Sequence, residues 1–285
     1  MHVQRVTTNE TCNQNCWFCN ARRPAESPDF VRPAAVRRRI AAALGPQTRE
    51  VVLTGGEPTM RSDLAALVRA AAAGAGRVAL ETNATLIDEA RAAALAGAGL
   101  AVARVQLVAW GAEADAITRQ PGGFAAALRG IRALAGAGIT VEVTTPIVRR
   151  TLAHAPTLPG QIVAEGLPVA ALVLIAPATA PDADECAPLA DLGRAITAVA
   201  DEARRVAHHP APRSDDVRPP CVFERPERVA PVRPQPRQRG ATGLRARGGV
   251  RGVPGRRPLR PGLPRAAAAA PPRCTRSATS GCGDG

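Results

Sequence analysis

Apolar runs rich in Val, Ile and Leu recur along the chain from Val3 to about Ala207, and Ala-rich stretches with helical spacing lie between them. Each run is continuous rather than alternating, which is typical of a parallel sheet covered on its outer face. The predicted strands lie near Val3–Thr8, Glu50–Thr54, Arg77–Thr82, Val102–Val108, Thr140–Thr145 and Ala171–Ala176. The predicted helices are Pro33–Leu44, Ser62–Ala73, Ile87–Ala96, Phe124–Ala135, Thr157–Glu165 and Leu189–Ala207.

Strict alternation of strands and helices predicts either a parallel barrel-like sheet or an open, doubly wound one. Both folds place their chemistry in the loops that follow the carboxyl ends of the strands. With 285 residues, of which 46% are hydrophobic, the chain can bury a substantial core. No segment reaches the roughly 18 apolar residues of a spanning helix, and the start MHVQRVTTNE lacks the order of a secretory signal. We therefore expect no membrane partner and a cytoplasmic protein.

The periodic pattern stops near His208, and the composition changes further on. We predict a core domain over residues 1–210, a linker or the start of an auxiliary region over 211–230, and a disordered tail over 231–285 that is rich in Arg, Pro and Gly. The net charge of +13 is concentrated in the tail: residues 1–230 carry +2 and residues 231–285 carry +11. The basic character of the chain therefore does not describe its globular part.

Three of the seven cysteines, Cys12, Cys16 and Cys19, fall within eight residues directly after the first predicted strand. Disulfides are unfavourable in a cytosolic chain, and this spacing suits a shared metal centre better. A structural zinc site and a complete [4Fe–4S] site both normally take four protein ligands. If the three cysteines hold an iron–sulfur cluster, one iron stays open to a small molecule.

The Cx3Cx2C spacing resembles that of radical S-adenosylmethionine (SAM) enzymes, in which SAM chelates the open iron. Phe18, before the last cysteine, matches the aromatic residue that this family places beside the cluster and the adenine. Gly55, Gly56 and Glu57, followed by a proline at the end of the second predicted strand, resemble the family's GGEP element. The resemblance implies a (βα)6 partial TIM barrel and an enzyme. It also implies that Cys12, Cys16 and Cys19 bind a [4Fe–4S] cluster.

The same resemblance assigns further cofactor-binding residues. Gly55 and Gly56 would offer backbone groups to the methionine moiety of SAM, and Glu57 would order the turn. Thr82 and Asn83 lie in a segment similar to the family's TNGT-like turn, where Ala84 replaces the usual glycine. They would contact SAM or substrate, although such side chains also cap helices and stabilise turns. Gln106, near the end of the fourth predicted strand, departs from the usual serine and is a candidate contact to SAM.

In this family the reduced cluster cleaves SAM, and the 5′-deoxyadenosyl radical that forms abstracts hydrogen from a substrate. The implied partners are a peptide or small-molecule substrate and an electron donor such as flavodoxin or ferredoxin. Cys221 and its neighbours resemble the entry to the SPASM or twitch type of auxiliary region that follows the barrel in peptide-modifying members.

Three other functions remain open. An iron–sulfur electron carrier would not need the GGEP turn, and a zinc protein is separable from the main hypothesis by metal analysis. An RNA-binding protein would act through the basic tail. However, the tail from Pro231 onward contains no aromatic residue, whereas proteins that bind single strands usually combine charge with stacking side chains. A nucleic-acid partner is therefore not expected.

The abrupt loss of acidic residues and of periodicity after about Ala230 also predicts that the tail is a shifted reading frame of a GC-rich gene. On this hypothesis the native chain continues after Cys221 into a cysteine-bearing auxiliary region. A genuine basic arm is the alternative.

Overall fold

The computed structural model describes residues 2–21, 31–175 and 185–206, together with the backbone of 213–214 and 230–231. All of these residues belong to one compact unit, Met1–Arg237. The expectations for Cys221 and for the tail from residue 232 onward lie outside the described residues.

The strands form one parallel sheet in the order of the chain. They are β1 (His2–Thr7), β2 (Thr48–Thr54), β3 (Val78–Thr82), β4 (Val102–Gln106), β5 (Thr140–Pro146), β6 (Ala171–Ile175), β7 (Arg213–Ser214) and β8 (Ala230–Pro231). Within the described residues the α-helices are α1 (Pro33–Ala43), α2 (Leu64–Ala72), α3 (Glu89–Gly97), α4 (Ala112–Thr118), α5 (Gly123–Gly136), α6 (Leu158–Ala164) and α7 (Leu189–Arg205). Short 3-10 turns lie at Pro58–Met60, Arg149–Thr151 and Ala155–Thr157.

The six predicted strands and the predicted (βα)6 arrangement are confirmed. Helix α4 was not predicted, because it is only one or two turns long and has no apolar periodicity of its own. Strand β7 lies in the segment predicted as a linker, and β8 spans the boundary between that segment and the predicted tail; each has two residues and carries no periodic signal. The strands pair in parallel with a defined register: Leu53 of β2 lies between Val6 of β1 and Leu80 of β3.

The outer face of the sheet is apolar and packs on the helices. Val51, Leu53, Leu80 and Val143 are completely buried in the main core. Helix α5 contributes a stripe at helical spacing, in which Ile131 is also inaccessible. Burial of such side chains contributes about 1.5 to 3 kcal/mol each, so this face supplies much of the stability.

The inner face of the sheet carries charged residues, which corrects the expectation of continuous apolar strands. The Arg104 side chain on β4 donates to Glu50 on β2 at 2.8 Å and to Glu142 on β5 at 3.1 Å. Arg5 on β1 pairs with Glu81 on β3. Strands β1, β3, β4 and β5 therefore alternate in polarity, and inward charges are tolerated because each described one has an opposite partner.

Candidate metal and cofactor site

A cavity of about 170 Å³ lies at the carboxyl ends of the strands and extends into the inner face of the sheet. It brings together nearly all the predicted site residues: Cys12, Cys16, Cys19, Gly55, Gly56, Glu57, Thr82, Asn83 and Gln106. Arg5, Glu81, Arg104, Thr144 and Ile175 line its inner part. Phe18 does not line the cavity. It is buried beside Cys16 in a small apolar cluster with Val108 and Ile117.

The cysteine loop, residues 8–21, is joined to the end of β2 by backbone hydrogen bonds. Thr8 N–H donates to Thr54 O at 2.7 Å, Gly56 N–H to Asn9 O at 2.9 Å, and Glu57 N–H to Thr11 O at 2.8 Å. The loop and the Gly-Gly-Glu turn thus extend the pairing of β1 with β2 beyond the strands. These backbone hydrogen bonds largely fix the position of the loop relative to the turn.

Gly55 and Gly56 are required by close packing of the two segments. A Cβ atom at Gly55 would come within 3.0 Å of Asn9 O, and one at Gly56 within 3.0 Å of Thr11 O, closer than real Cβ atoms come to backbone. Gly55 also has a φ of 151°, which side chains disfavour. The space that side chains would take is therefore filled by the cysteine loop. The docking of SAM on these glycines stays a prediction.

The thiols of Cys12 and Cys16 are buried, whereas Cys19 is exposed. Burial, together with the neighbouring cysteines, raises the pKa of Cys12 and of Cys16 to about 12. Nitrogen donors approach each sulfur: Gln14 N lies 3.4 Å from Cys12 Sγ, Gln106 Nε2 lies 3.8 Å from Cys16 Sγ, and Ala21 N lies 3.4 Å from Cys19 Sγ. Such donors stabilise thiolates, so metal binding would displace the thiol protons and keep these contacts.

A single zinc ion and an iron–sulfur cluster make different demands on three thiols. A zinc ion binds sulfur at about 2.3 Å, which draws its ligands to one point. Within residues 2–21, 31–175 and 185–206, no three His, Cys, Asp or Glu side chains converge in that way. In an iron–sulfur cluster each thiolate binds a different iron, so the three thiols need only line a common cavity, and Cys12, Cys16 and Cys19 all line this one.

Glu57 ties the turn after β2 to the end of β3. Its buried carboxylate accepts hydrogen bonds from Thr59 N–H at 2.9 Å, Thr59 Oγ1 at 2.5 Å, Thr82 Oγ1 at 2.7 Å and Asn83 N–H at 2.7 Å. Complete burial raises the pKa of Glu57, although these four donors oppose the effect. The prediction that Glu57 orders the turn is consistent with these contacts.

Asn83 connects β3 to the cysteine loop. Its Nδ2 donates to Asn13 Oδ1 at 2.9 Å and lies 3.9 Å from Cys12 Sγ. Asn13 Nδ2 in turn donates to Thr85 Oγ1 at 2.8 Å. Thr82 and Asn83 therefore stabilise the site structurally, and their contact with SAM or substrate remains a prediction.

Sequence reasoning missed several residues of the site. Asn9 is fully buried, and its Nδ2 donates to Thr11 O at 2.8 Å and to Glu57 O at 3.0 Å. The inward charges Arg5, Glu81 and Arg104 were also missed. The alternation of charged and apolar residues in the strands was the signal that could have found them.

The loop also carries an exposed aromatic side chain, Trp17, whose side chain and backbone together are 44% exposed. The guanidinium carbon of Arg119 lies 4.5 Å from the centre of its ring system, and that of Arg150 lies 4.6 Å away. Neither arginine was a candidate site residue from the sequence, since they follow α4 and β5 far along the chain.

Comparison with known proteins identifies the family. The model of the radical SAM superfamily matches residues 6–152, which include the cysteine loop and the Gly-Gly-Glu turn. The chain belongs to the radical SAM superfamily and is an enzyme of that class. Membership implies SAM and an iron–sulfur cluster as cofactors.

Individual relatives have different activities. An AdoMet-dependent heme synthase of Oleidesulfovibrio alaskensis is 31% identical over 150 residues, which are 50% of this chain and 38% of that protein. A GTP 3′,8-cyclase of Pelotomaculum thermopropionicum is 31% identical over 151 residues, 51% of this chain and 46% of the relative. The matches thus span less than half the length of these two relatives.

Solved structures show the same fold at low identity. SuiB of Streptococcus suis bound to S-adenosylmethionine has a TM-score of 0.60 at 17% identity, over 76% of this chain and 51% of SuiB. HydG, a maturase of the [FeFe]-hydrogenase, has a TM-score of 0.60 at 12% identity, over 80% of this chain and 55% of HydG.

In the part of this chain that the structure describes, the helices are too short or too polar to cross a membrane.

Proposed function

We propose that this protein holds a [4Fe–4S] cluster on Cys12, Cys16 and Cys19 and generates a 5′-deoxyadenosyl radical from SAM. One observation carries the proposal: the three cysteines and the Gly-Gly-Glu turn line a single cavity and are joined by backbone hydrogen bonds. When bound, the reduced cluster would supply one electron to cleave SAM into methionine and the radical, which abstracts hydrogen from the substrate.

The chain itself would bind and shield these groups. The cysteines would act as thiolates, and Gly55 and Gly56 would present backbone groups to the methionine moiety of SAM. Gln106, at the wall of the cavity, is a candidate contact to SAM, whereas Phe18, which packs beside Cys16 and does not line the cavity, would support the cysteine loop rather than touch the adenine. The buried positions of Cys12 and Cys16 would exclude water from the cluster.

The substrate is a peptide or a small molecule. SuiB, one of the structural neighbours, has been solved bound to the precursor peptide SuiA, whereas the heme synthase and the GTP cyclase are named for small-molecule products or substrates. The inner part of the cavity carries Arg5, Glu81 and Arg104. This charged lining favours a substrate that presents polar or ionised groups. Thiolates that hold an iron–sulfur cluster suit the reducing cytoplasm, which is the location that we propose.

Anaerobic reconstitution tests the proposal. The full chain should bind about four irons and, with dithionite and SAM, release 5′-deoxyadenosine. Alanine substitution of Cys12, Cys16 or Cys19 should each abolish cluster binding and 5′-deoxyadenosine, while Cys186→Ala should retain both. Binding of one zinc per chain with no 5′-deoxyadenosine would overturn the proposal. Iron binding without SAM cleavage would favour the electron-carrier alternative.

We also propose that residues 211–230 begin an auxiliary region and that the tail is a shifted reading frame. The change of composition near Ala230 supports this. Resequencing the gene and translating its other frames beyond that codon should reveal clustered cysteines and a restored balance of acidic and basic residues. Immediate stop codons in those frames would contradict it.

A further inference from the structure

Trp17 lies on the outer surface of the cysteine loop, between the buried Cys16 and the exposed Cys19 in the chain. It is one of two large hydrophobic side chains that are exposed in the described part of the chain; the other is Leu86 on a different loop. Single exposed hydrophobic residues are common on proteins. Trp17 is unusual because two cationic groups contact its ring. We call Trp17, Arg119 and Arg150 the tryptophan–arginine patch.

The patch is held in place by the loop and helix α4. Trp17 N–H donates to Ile117 O at 3.4 Å, and Asn15 N–H donates to Thr118 O at 3.1 Å. With the Asn15 amide turned so that its oxygen faces Arg119, that oxygen accepts from Arg119 Nη1 at 2.7 Å. These contacts connect the end of α4 directly to the cysteine loop.

The backbone of Arg119 is in a costly conformation. Its φ is 55°, in the left-handed region, and Arg119 ends α4 there. For a residue other than glycine, this backbone conformation costs about 1 kcal/mol or more of free energy, whereas for glycine the cost is small. The conformation is one in which the guanidinium meets both Asn15 and the Trp17 ring. Position 119 therefore carries a cationic side chain although glycine would be less strained there.

The charge of the patch is positive. The patch contains two positive charges, those of Arg119 and Arg150. Arg150 forms an ion pair with Glu185, which offsets one of the two. The nearest acidic residue on α4, Asp115, turns its carboxylate to the N–H groups of Gly122 and Phe124 at 2.7 Å each. The charge of Arg119 is therefore not compensated by that carboxylate.

We propose that the tryptophan–arginine patch docks an acidic one-electron carrier protein of the flavodoxin or ferredoxin type. This inference rests on the proposed function, which requires one electron for each SAM cleaved. A carrier docked over Trp17 would lie next to two cluster ligands in the chain. The carrier loses one electron, which takes a flavodoxin from its anionic hydroquinone to its neutral semiquinone, and the cluster gains that electron. Positive residues around an exposed aromatic group suit an acidic partner by attraction and by contact area.

Binding and cluster reduction test the proposal on the reconstituted full chain, with a bacterial flavodoxin as the probe. The Arg119→Glu/Arg150→Glu double variant should weaken flavodoxin binding, measured by calorimetry at low salt, by about tenfold or more. The rate at which flavodoxin hydroquinone bleaches the cluster absorbance should fall similarly. Reduction by dithionite should be unchanged. The matched control Arg37→Glu/Arg38→Glu, at two exposed positions of α1, should behave as the wild type.

Further variants keep the proposal falsifiable if the double variant folds poorly. Arg119→Gly relieves the left-handed backbone and removes the charge, so it should fold well and still weaken binding by several-fold. Trp17→Leu should slow reduction by flavodoxin without affecting dithionite. Added salt should weaken wild-type binding more than binding by Arg119→Gly.

Several results would overturn the inference. Unchanged flavodoxin affinity in Arg119→Gly and the double variant would do so. Equal losses with flavodoxin and dithionite would show damage to the cluster site rather than to docking. Binding of RNA by the patch with no binding of flavodoxin would assign the surface to a different partner. If dithionite yields no 5′-deoxyadenosine from the wild type, it is the proposed function that fails instead.

Discussion

The outer and inner faces of the sheet differ in chemistry although they alternate along the same strands. On β3, Leu80 points out to the helices and is completely buried, while the next residue, Glu81, points inward and pairs with Arg5. On β4, Val105 packs in the main core and Arg104 holds two carboxylates. The outer face has the composition of a protein core, whereas the inner face combines paired charges with a small apolar cluster of Val52, Ala79 and Val102.

This difference separates stability from function along each strand. An apolar residue inside the barrel would have added stability without cost, whereas each inward charge needs a partner to offset its desolvation. The inner charges next to the cavity are therefore best understood as a lining for a polar ligand. Substitutions on the two faces should therefore have different consequences for stability and for SAM cleavage.

The largest effect is expected for Arg104→Met on the inner face. The substitution leaves the buried carboxylates of Glu50 and Glu142 without this partner, so we expect a loss of about 3 to 5 kcal/mol in the free energy of unfolding by urea. Arg77→Met is the matched control. It removes a guanidinium from the same Glu50, but the Arg77 side chain is 45% exposed, so the loss should stay below about 1 kcal/mol. Equal losses for the two variants would refute this explanation of the inner network.

On the outer face, Leu80→Ala should cost about 3 kcal/mol, since it opens a cavity in a fully packed region. SAM cleavage with dithionite should persist at temperatures well below the unfolding midpoint. Leu86→Ala, at an exposed position, should change stability by less than about 0.5 kcal/mol. A folded Leu80→Ala protein without SAM cleavage would show that the two faces are not separable.

Glu57→Gln changes a residue in the turn after β2, at the carboxyl end of the sheet, where it lines the cavity. The Glu57 carboxylate accepts all four described hydrogen bonds, and each of its oxygens accepts at least one from a backbone N–H group. The NH2 group of the glutamine variant must therefore face an N–H donor. We expect a loss of about 1 to 3 kcal/mol in chemical denaturation. SAM binding by the reconstituted protein should weaken as well, because Gly55 and Gly56 lose their fixed position. Glu89→Gln, an exposed site, serves as the comparison, and a Glu57→Gln protein as stable as that control would contradict this account.

The smallest effects concern two glycines of α5. A Cβ atom at Gly130 would come within 3.0 Å of the carbonyl oxygen of Ala84, whereas one at Gly136 meets no atom within 4 Å. Gly136→Ala should therefore stabilise the protein by about 0.5 to 1 kcal/mol, and Gly130→Ala should destabilise it by about 1 kcal/mol or more. Thermal unfolding of the two variants measures both signs. If both substitutions stabilised the protein, helix propensity would outweigh packing at Gly130.

The strands, the cysteine triad and the Gly-Gly-Glu turn could be predicted because each depends on local signals. Buried strands need runs of apolar residues, and cluster ligands need a fixed spacing in the chain. Ala84 illustrates the limit. Its replacement of the usual glycine was visible in the sequence, but its left-handed φ of 59° and its contact with α5 are visible only in the folded chain.

Contacts between distant segments could not be predicted. Arg119 meets Trp17 only because α4 packs against the cysteine loop, and α4 itself carries no periodic pattern. The pairing of Arg5 with Glu81 depends on the register of three strands. Asn9 follows β1 as one polar residue among several, and nothing in the sequence marks the buried amide that joins two segments.

The hydrogen bonds between the cysteine loop and its neighbours have a consequence for the life cycle of the enzyme. The loop is fixed to the end of β2 on one side and to α4 on the other through protein groups alone. These contacts would hold the loop whether or not the proposed cluster is bound, in contrast to zinc fingers that unfold without their ion. On this basis, loss of the proposed cluster to oxygen would leave a folded acceptor, which new iron and sulfide could reload without refolding of the chain.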